Sequence, residues 1–414
     1  MVGYFSLRNY ALQKVLQKAK AKVESRANVT IAVGKAKFVG ISTIEVCQIA
    51  ILPINKDTLF RTDTVRVSVK LLPLLFGRIR LSNMDISNTL LYLRKDSLQT
   101  NYRGLLKPTQ KKEKKQKTED DISKTTFENV KTLLKYLPDE VEVRNARLSL
   151  KYNDSLRYIT LQTLSWNNTK YTAIIEPQKE FATQNWIAEG YFDKYNVKGS
   201  FDLYGPQKVD MYFASLFGSQ LSFNKLHLQI DKLDYRNKTL QFDAGGSLED
   251  LQLYNNRIAA DTVSIAKTGG NLALRINRNF VIVDSSSVFT VNNIQFSAFA
   301  QYPVGADKKY ALSLTMPSTP AQTFFTSLPA GMFNKFEGIQ TKGNLSYHLN
   351  CFMDGAMPDS LQFTSELKKE NFEIVKYGKE NFARINGTFS HTVYEGGNPI
   401  RNFLVGAENP NFVA

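Results

Sequence analysis

Apolar and polar residues alternate along most of the chain, which is the period of a β-strand with one buried face. In the segment TVRVSVKLL, Val65, Val67 and Val69 share one face and Arg66 lies on the other. Turn-forming clusters recur roughly every ten to fifteen residues after Glu140: YNDS, WNNT, YRNK, DAGG, KTGG and NRN. We therefore predict a mainly β protein of elongated, twisted antiparallel sheets that can form a groove, with an N-terminal amphipathic helix and a few short helices.

The first 26 residues have a helical period instead. Apolar side chains recur at spacings of three and four, at Leu12, Val15, Leu16, Ala19 and Val23. Basic residues recur one turn apart on another face, and with the end of the helix they form a candidate membrane surface: Lys14, Lys18, Lys22 and Arg26. Two interpretations stay open. The helix lies on an anionic membrane, where each basic residue contributes roughly 1 kcal/mol, or it packs on the body with its lysines in water.

The segment VKLLPLLFGRIRLSN, residues 69–83, interrupts the alternation with an apolar run. Pro73 cannot donate to a strand ladder and Gly77 permits a turn, so we expect an apolar crossover over one end of a sheet. The run is far shorter than the ~20 residues that span a bilayer. No transmembrane segment or secretory signal peptide is predicted.

We predict five regions from these shifts in pattern. Residues 1–26 form the basic helix and 27–106 a first β module. Residues 107–121 form a lysine-rich linker, 122–392 a second β-rich region and 393–414 a connector to a further domain. The linker is either a solvated loop or a contact for anionic lipid or glycan, and the C-terminal segment is either a connector or a frayed end.

A partial repeat supports a modular β body. Asn88, Leu91, Leu93, Arg94 and Asp96 match in spacing a second set, Asn145, Leu148, Leu150, Lys151 and Asn153. Alternating strands that end in polar turns also resemble one another by chance, so two copies indicate modularity only.

A short helix interrupts the later strands at STPAQTFFTSLPAGMF. Thr319 suits the N-cap, Pro320 the first helical position and Gln322 the capping box, whereas Pro329 and Gly331 end the helix. We expect this helix to cover one opening of a sheet.

One strand has an unusually apolar face. In NNIQFSAFAQY, the alternation places Ile294, Phe296, Ala298 and Ala300 together, followed by Tyr302. The first four are our candidate lining of an apolar groove. A bound lipid chain would gain ~0.8 kcal/mol per buried methylene there.

The charge of the 414-residue chain, formally +15, looks at first like a signal for nucleic acid. Residues 1–26 carry a net charge of +5 and residues 107–118 another +5. These two short segments hold most of the excess positive charge, and the rest of the chain is only mildly basic. The aromatic residues fall on strand positions that look buried and do not alternate with the lysines. We therefore predict no nucleic-acid partner.

Signs of catalysis are absent from the sequence. It contains no G-x-S-x-G, P-loop, G-x-G-x-x-G or H-E-x-x-H motif. His348 and Cys351 are separated by an odd spacing that places them on opposite faces of a strand, and Ser390 and His391 are adjacent in another. We predict no catalytic, cofactor or metal site, and no disulfide between Cys47 and Cys351.

Residues 34–97, around LLPLLFG and the following LSNMDISNTLLYL, resemble the N-terminal module of AsmA-like bacterial envelope proteins. Residues 319–349 are similar to a helix-and-strand unit of the same group. The resemblance implies a protein on the periplasmic side of the inner membrane. It also implies twisted sheets with an apolar inner face, linked in the wider superfamily to lipid transfer.

The last residues, VYEGGNPIRNFLVGAENPNFVA, resemble the segment that precedes the catalytic domain in AsmA-containing peptidoglycan transglycosylases. The catalytic E-D-x-x-F-x-x-H-x-G motif of those enzymes has no match here. This second resemblance implies an accessory region of an enzyme that polymerises lipid-linked disaccharide, beside the cell-wall synthesis machinery.

Two hypotheses follow from the sequence. The first is a non-catalytic periplasmic β scaffold that forms the N-terminal accessory region of a peptidoglycan transglycosylase. The alternative is a stand-alone AsmA-like protein that uses an apolar groove in lipid transfer or outer-membrane biogenesis. Both expect membrane or lipid as a partner.

Overall fold

A computed structural model describes residues 2–54, 56–70, 72, 80–95, 100–102, 134, 137–152, 155–178, 184–213, 218–277, 279–304, 308–377 and 391–393. The chain is mainly β, with an N-terminal helix and antiparallel sheet, as the alternation predicts. It divides into two units. Unit 1 holds the described residues up to Tyr195 and Phe201–Gln207, and unit 2 holds Asn196–Ser200 and the described residues from Lys208 onward. The predicted linker at 107–121 lies outside the described residues.

Unit 1 begins with helix α1, Val2–Arg26. Both β1 and β2 pair with β3, and the order then follows the chain through antiparallel hairpins, except that β5 and β6 are parallel. Its strands are β1 Val29–Val33, β2 Ala36–Val39, β3 Thr43–Pro53, β4 Phe60–Val69, β5 Leu81–Lys95, β6 Glu140–Tyr152, β7 Ser155–Asn167, β8 Lys170–Pro177 and β9 Trp186–Asp193. Residues of β10, Lys198–Phe213, belong to both units.

Unit 2 is an antiparallel meander in which each strand pairs with the next. Between β16 and β17 lie helix α2, Ala321–Thr326, and a 3-10 turn, Asn334–Phe336. Its strands are β11 Ser219–Arg236, β12 Thr239–Tyr254, β13 Val263–Ile276, β14 Phe280–Val291, β15 Ile294–Pro303, β16 Lys309–Pro320, β17 Gln340–Asp354, β18 Met357–Lys376 and β19 His391–Val393.

Helix α1 is held against β1 and β2 by polar side chains. The Gln13 side chain donates from Nε2 to the Ala36 carbonyl over 3.0 Å. The Glu24 carboxylate accepts from the Ile31 N–H over 2.7 Å. Backbone groups of these strands therefore find their partners on the helix, which protects a sheet edge from pairing with other chains.

Only part of the predicted apolar stripe of α1 packs against the strands. Leu12 is buried and Leu16 half-buried, but Val15 is 63% and Val23 46% exposed, and Ala19 is also exposed.

The predicted turns at WNNT, YRNK and NRN connect β7–β8, β11–β12 and β13–β14. DAGG and KTGG are not turns; they lie inside β12 and β13, where Gly246 pairs with Gly270. A Cβ added to Gly270 would lie 2.1 Å from the Val288 carbonyl oxygen. Glycine is therefore needed here because neighbouring backbones approach closely, and no reversal of the chain is involved.

The predicted capping of α2 is wrong in detail. The helix begins at Ala321, and Pro320 occupies the N-cap without a side-chain hydrogen bond. The Thr319 hydroxyl donates to the Pro317 carbonyl. Gln322 binds the chain after the 3-10 turn, because its Nε2 donates to the Ile339 carbonyl and its Oε1 accepts from the Thr341 N–H. The side chain expected to cap the helix instead ties it to β17.

A buried lysine connects several loops of unit 1. Lys194, 5% exposed, donates to the carbonyls of Leu137 and Pro138 and lies 3.0 Å from the Asp139 carboxylate. Lys70 contacts the other carboxylate oxygen at 2.5 Å. The end of β4, the start of β6 and the end of β9 therefore meet at one ion-paired junction.

Several predictions fall outside the described residues. They include the apolar crossover at 73–79, the lysine-rich linker at 107–121 and Ser390. The C-terminal segment also lies outside, apart from the backbone of Val393.

Candidate functional site

One row of apolar side chains crosses unit 2 from β11 to β18. Directly paired residues of adjacent strands lie on the same face of a sheet, so the strand register defines the row. It consists of Leu233, Phe242, Leu274, Val283, Ala300, Leu312, Cys351 and Phe363. Every member is apolar or a thiol, and we call this set the apolar row.

Neighbouring rows extend the same face in both directions. On one side, Phe296 pairs with Phe289, and Ala298 with Leu314. On the other side lies a row of Tyr235, Leu240, Ile276, Val281 and Tyr302. The face is therefore mainly apolar over several rows, although the row of Ala298 also contains Ser287, and we call it the apolar face.

All four residues predicted to line a groove lie on this face. Ile294 is buried, 3% exposed, whereas Phe296, Ala298 and Ala300 are half-buried. The alternation within β15 thus identified one strand of a much wider surface. The other strands were missed because their apolar faces become a surface only when the register is known.

The opposite face is predominantly polar. One of its rows joins His227, Ser247, Gly269, Thr290 and Gln295. His348 also lies there, with Nδ1 2.9 Å from the Thr315 hydroxyl and Nε2 2.7 Å from the Asn350 amide. Cys351 belongs to the apolar row, so its predicted separation from His348 is confirmed by the register.

Helix α2 covers one end of the apolar face. Ile294, Met316, Ala321 and Leu345 form a buried cluster there, with exposures between 0% and 4%. Phe296, Phe324, Phe325, Leu328, Tyr347 and Phe372 pack around it. The predicted role of this helix, to cover one opening of a sheet, agrees with this packing.

Other apolar side chains of the face are more accessible than this cluster. Leu228 shares the row of Phe289 through Gly246 and Gly270. Leu312 is 44% exposed, Leu228 46%, Phe289 38% and Tyr302 60%. Burying such surface is worth roughly 25 cal/mol per Å². Accessible leucine and phenylalanine side chains, aligned across many strands, form a surface on which an apolar ligand gains affinity without specific hydrogen bonds.

Helix α1 of unit 1 presents the predicted basic stripe to solvent. Lys14, Lys18 and Lys22 are all exposed, and the side chain of Arg26 lies outside the described residues. The Lys14 ammonium lies 4.7 Å from the centre of the exposed Tyr10 ring. Among the described residues, no helix combines the length and the apolar character that crossing a membrane requires.

Two carboxylates with lowered pKa values, those of Glu45 and Asp139, belong to ion pairs in unit 1. The hydrogen bond from Arg66, followed by that from Lys37, lowers the pKa of Glu45. The hydrogen bond from Lys70 and then that from Lys194 lower the pKa of Asp139, although burial opposes the shift. In the described part of the chain, no group of three or more metal-binding side chains converges.

No protein-family model, curated protein or solved structure matches the chain. A function can therefore be inferred only from the geometry of the chain, a mainly β fold whose second unit has one mainly apolar and one predominantly polar face.

Proposed function

We propose that this protein is a non-catalytic β scaffold of the bacterial cell envelope that holds the acyl chains of lipids on its apolar face. The observation that carries the proposal is the unbroken apolar row across β11–β18 beside a predominantly polar opposite face. A sheet that only needed a core would bury the apolar face. Leu312 of the row instead remains 44% exposed, and Leu228, which pairs with Gly246 in a neighbouring row, remains 46% exposed.

Helix α1 supports the envelope location in this proposal. Its exposed Lys14, Lys18 and Lys22 suit the anionic headgroups of a membrane surface. We place it on the periplasmic side of the inner membrane because residues 34–97 resemble AsmA-like envelope proteins. In this arrangement the helix meets the membrane and unit 2 receives lipid chains.

A pair of adjacent residues on opposite faces tests the lipid proposal. Leu312→Glu places a carboxylate in the apolar row, whereas Ser313→Glu places the same group on the polar face. Lipids that copurify with each protein from bacterial membranes are extracted and measured by mass spectrometry. We expect wild type and Ser313→Glu to retain lipid and Leu312→Glu to lose it. Wild-type protein without lipid, both as purified and after incubation with phospholipid vesicles, would refute the proposal.

A second candidate function is the accessory region of a peptidoglycan transglycosylase. Residues 393–414 favour it, through their resemblance to the segment ahead of that catalytic domain. The coding sequence after Ala414 tests the idea directly. A downstream glycosyltransferase domain that polymerises lipid-linked disaccharide supports it, and a stop codon removes it, leaving the stand-alone scaffold in lipid transfer or outer-membrane biogenesis.

A further inference from the structure

A cavity of about 460 Å³ lies between α2 and the segment that leads from it to β17. Its apolar walls include Phe325, Leu328, Phe333, Phe336 and Ile339. The volume falls within the range of roughly 300–1,000 Å³ typical of ligand pockets.

The cavity adjoins the covered end of the apolar face. Phe325 and Leu328 line the cavity and also pack against the buried cluster of Ile294 and Met316. The centre of the Phe325 ring lies 5.5 Å from the centre of the Phe336 ring, on the cavity side, and 6.3 Å from the centre of the Phe372 ring. Phe325 and Leu328 therefore form the boundary between the apolar face and the cavity.

The polar side chains of the wall are already engaged within the protein. Gln322 uses its amide for the Ile339 carbonyl and the Thr341 N–H. The Asn334 side chain accepts from the Gly331 N–H and donates to Asp261.

Three further polar side chains line the wall, those of Thr326, Glu337 and Gln340. All three are exposed, and the Thr326 hydroxyl donates to the Gln322 carbonyl. The least exposed part of the wall is apolar, formed by the half-buried Phe325 and Leu328 and the buried Ile339, which favours a hydrocarbon chain over a polar headgroup there.

We infer that this cavity receives the methyl end of an acyl chain whose remainder lies on the apolar face, so that it sets a preferred chain length. The inference rests on the proposed lipid-binding function and adds a specificity site to it. Each methylene that enters the cavity raises affinity roughly fourfold. Chains too short to reach past Phe325 and Leu328 gain nothing from the cavity.

Filling the cavity tests the inference. Ala330→Trp and Thr326→Trp introduce an indole at exposed wall positions, and Ala356→Trp introduces one in an exposed turn whose residue does not line the cavity. Binding of decanoate and octadecanoate to each full chain is measured by titration calorimetry, with the melting temperature as a check on folding. We expect the filled variants to lose roughly tenfold or more in octadecanoate affinity while decanoate binding is unchanged. Ala356→Trp should match wild type.

The outcomes separate the two proposals. If wild type binds both fatty acids and both filled variants keep the wild-type ratio of affinities, the cavity does not hold the chain end and the inference is overturned. If wild type binds neither fatty acid, the lipid-binding function itself fails.

Discussion

Asn145 donates a hydrogen bond from Nδ2 to Oδ1 of Asn88 over 2.9 Å, although 57 residues separate them in the chain. Both residues have left-handed backbones, with φ of 52° at each position. They lie opposite each other where β5 and β6 run parallel, between the pairs Ser87–Arg144 and Thr89–Ala146. Asparagine tolerates this conformation better than residues with longer or branched side chains, because its amide can bond nearby groups.

We predict that Asn145→Ala destabilises the protein by about 1–2 kcal/mol, because it strains the left-handed backbone and removes the hydrogen bond to Asn88. Asn145→Gly removes the same hydrogen bond without the strain. It should cost less than the alanine variant, which separates the two effects. Denaturant unfolding measures both variants, and a larger loss for glycine than for alanine would contradict this account.

The same pair shows what the sequence could predict. The partial repeat was visible as Asn88 and Asn145 followed by leucines at equal spacing, and the parallel register places Leu91 beside Leu148 and Leu93 beside Leu150. The repeat could not reveal that its copies pair side by side. Strand pairing depends on the long connection between them, and equal spacing alone does not determine it.

The apolar face was predictable within strands but not across them. Ala300 could be assigned to an apolar face from alternation in β15, yet its partner Val283 precedes an irregularity in β14 that shifts the register before Ser287. A β-bulge of this kind changes which residues share a face. Local patterns do not predict its position, so the width of the face appears only in the folded protein.

The buried Lys194 should be costly to remove. Lys194→Met leaves two backbone carbonyls and the Asp139 carboxylate without this donor, and we expect a loss of about 2–4 kcal/mol in the free energy of unfolding. The matched change Lys198→Met, at an exposed position nearby in sequence, should have little effect. Equal losses in urea unfolding of the two variants would show that the junction contributes nothing.

Asp139 should also make stability depend on pH. Its pKa is lowered in the folded protein, first by Lys70 and then by Lys194, relative to about 3.9 when unfolded. The unfolded state therefore binds the proton more readily. The stabilisation is complete above the unfolded pKa and is lost as pH falls through the folded pKa.

Asp139→Asn should therefore destabilise the protein at pH 7 and make the decline toward pH 3 shallower than in wild type. Unfolding free energies across this range measure the difference. A mutant curve parallel to that of wild type would contradict a lowered pKa at this carboxylate.

The glycines of β12 and β13 should differ in their tolerance of a methyl group. A Cβ on Gly270 would lie 2.1 Å from the Val288 carbonyl oxygen, which is fixed in the ladder. A Cβ on Gly245 would meet the Asn271 side chain at 2.8 Å, which can rotate away. We expect Gly270→Ala to cost about 1–3 kcal/mol and Gly245→Ala clearly less, as measured by thermal unfolding. The reverse order would show that the backbones do not approach closely at Gly270.

The basic stripe of α1 should determine membrane affinity if the helix lies on anionic lipid. Replacing Lys14, Lys18 and Lys22 by glutamine removes three exposed charges at roughly 1 kcal/mol each, so vesicle affinity should fall about a hundredfold. The control replaces three other exposed lysines, Lys170, Lys198 and Lys342. Cosedimentation with vesicles rich in phosphatidylglycerol compares both triple variants with wild type at low and physiological salt. An equal, modest loss in both would mean that net charge alone attracts the protein, whereas a loss confined to the α1 variant assigns the contact to this helix.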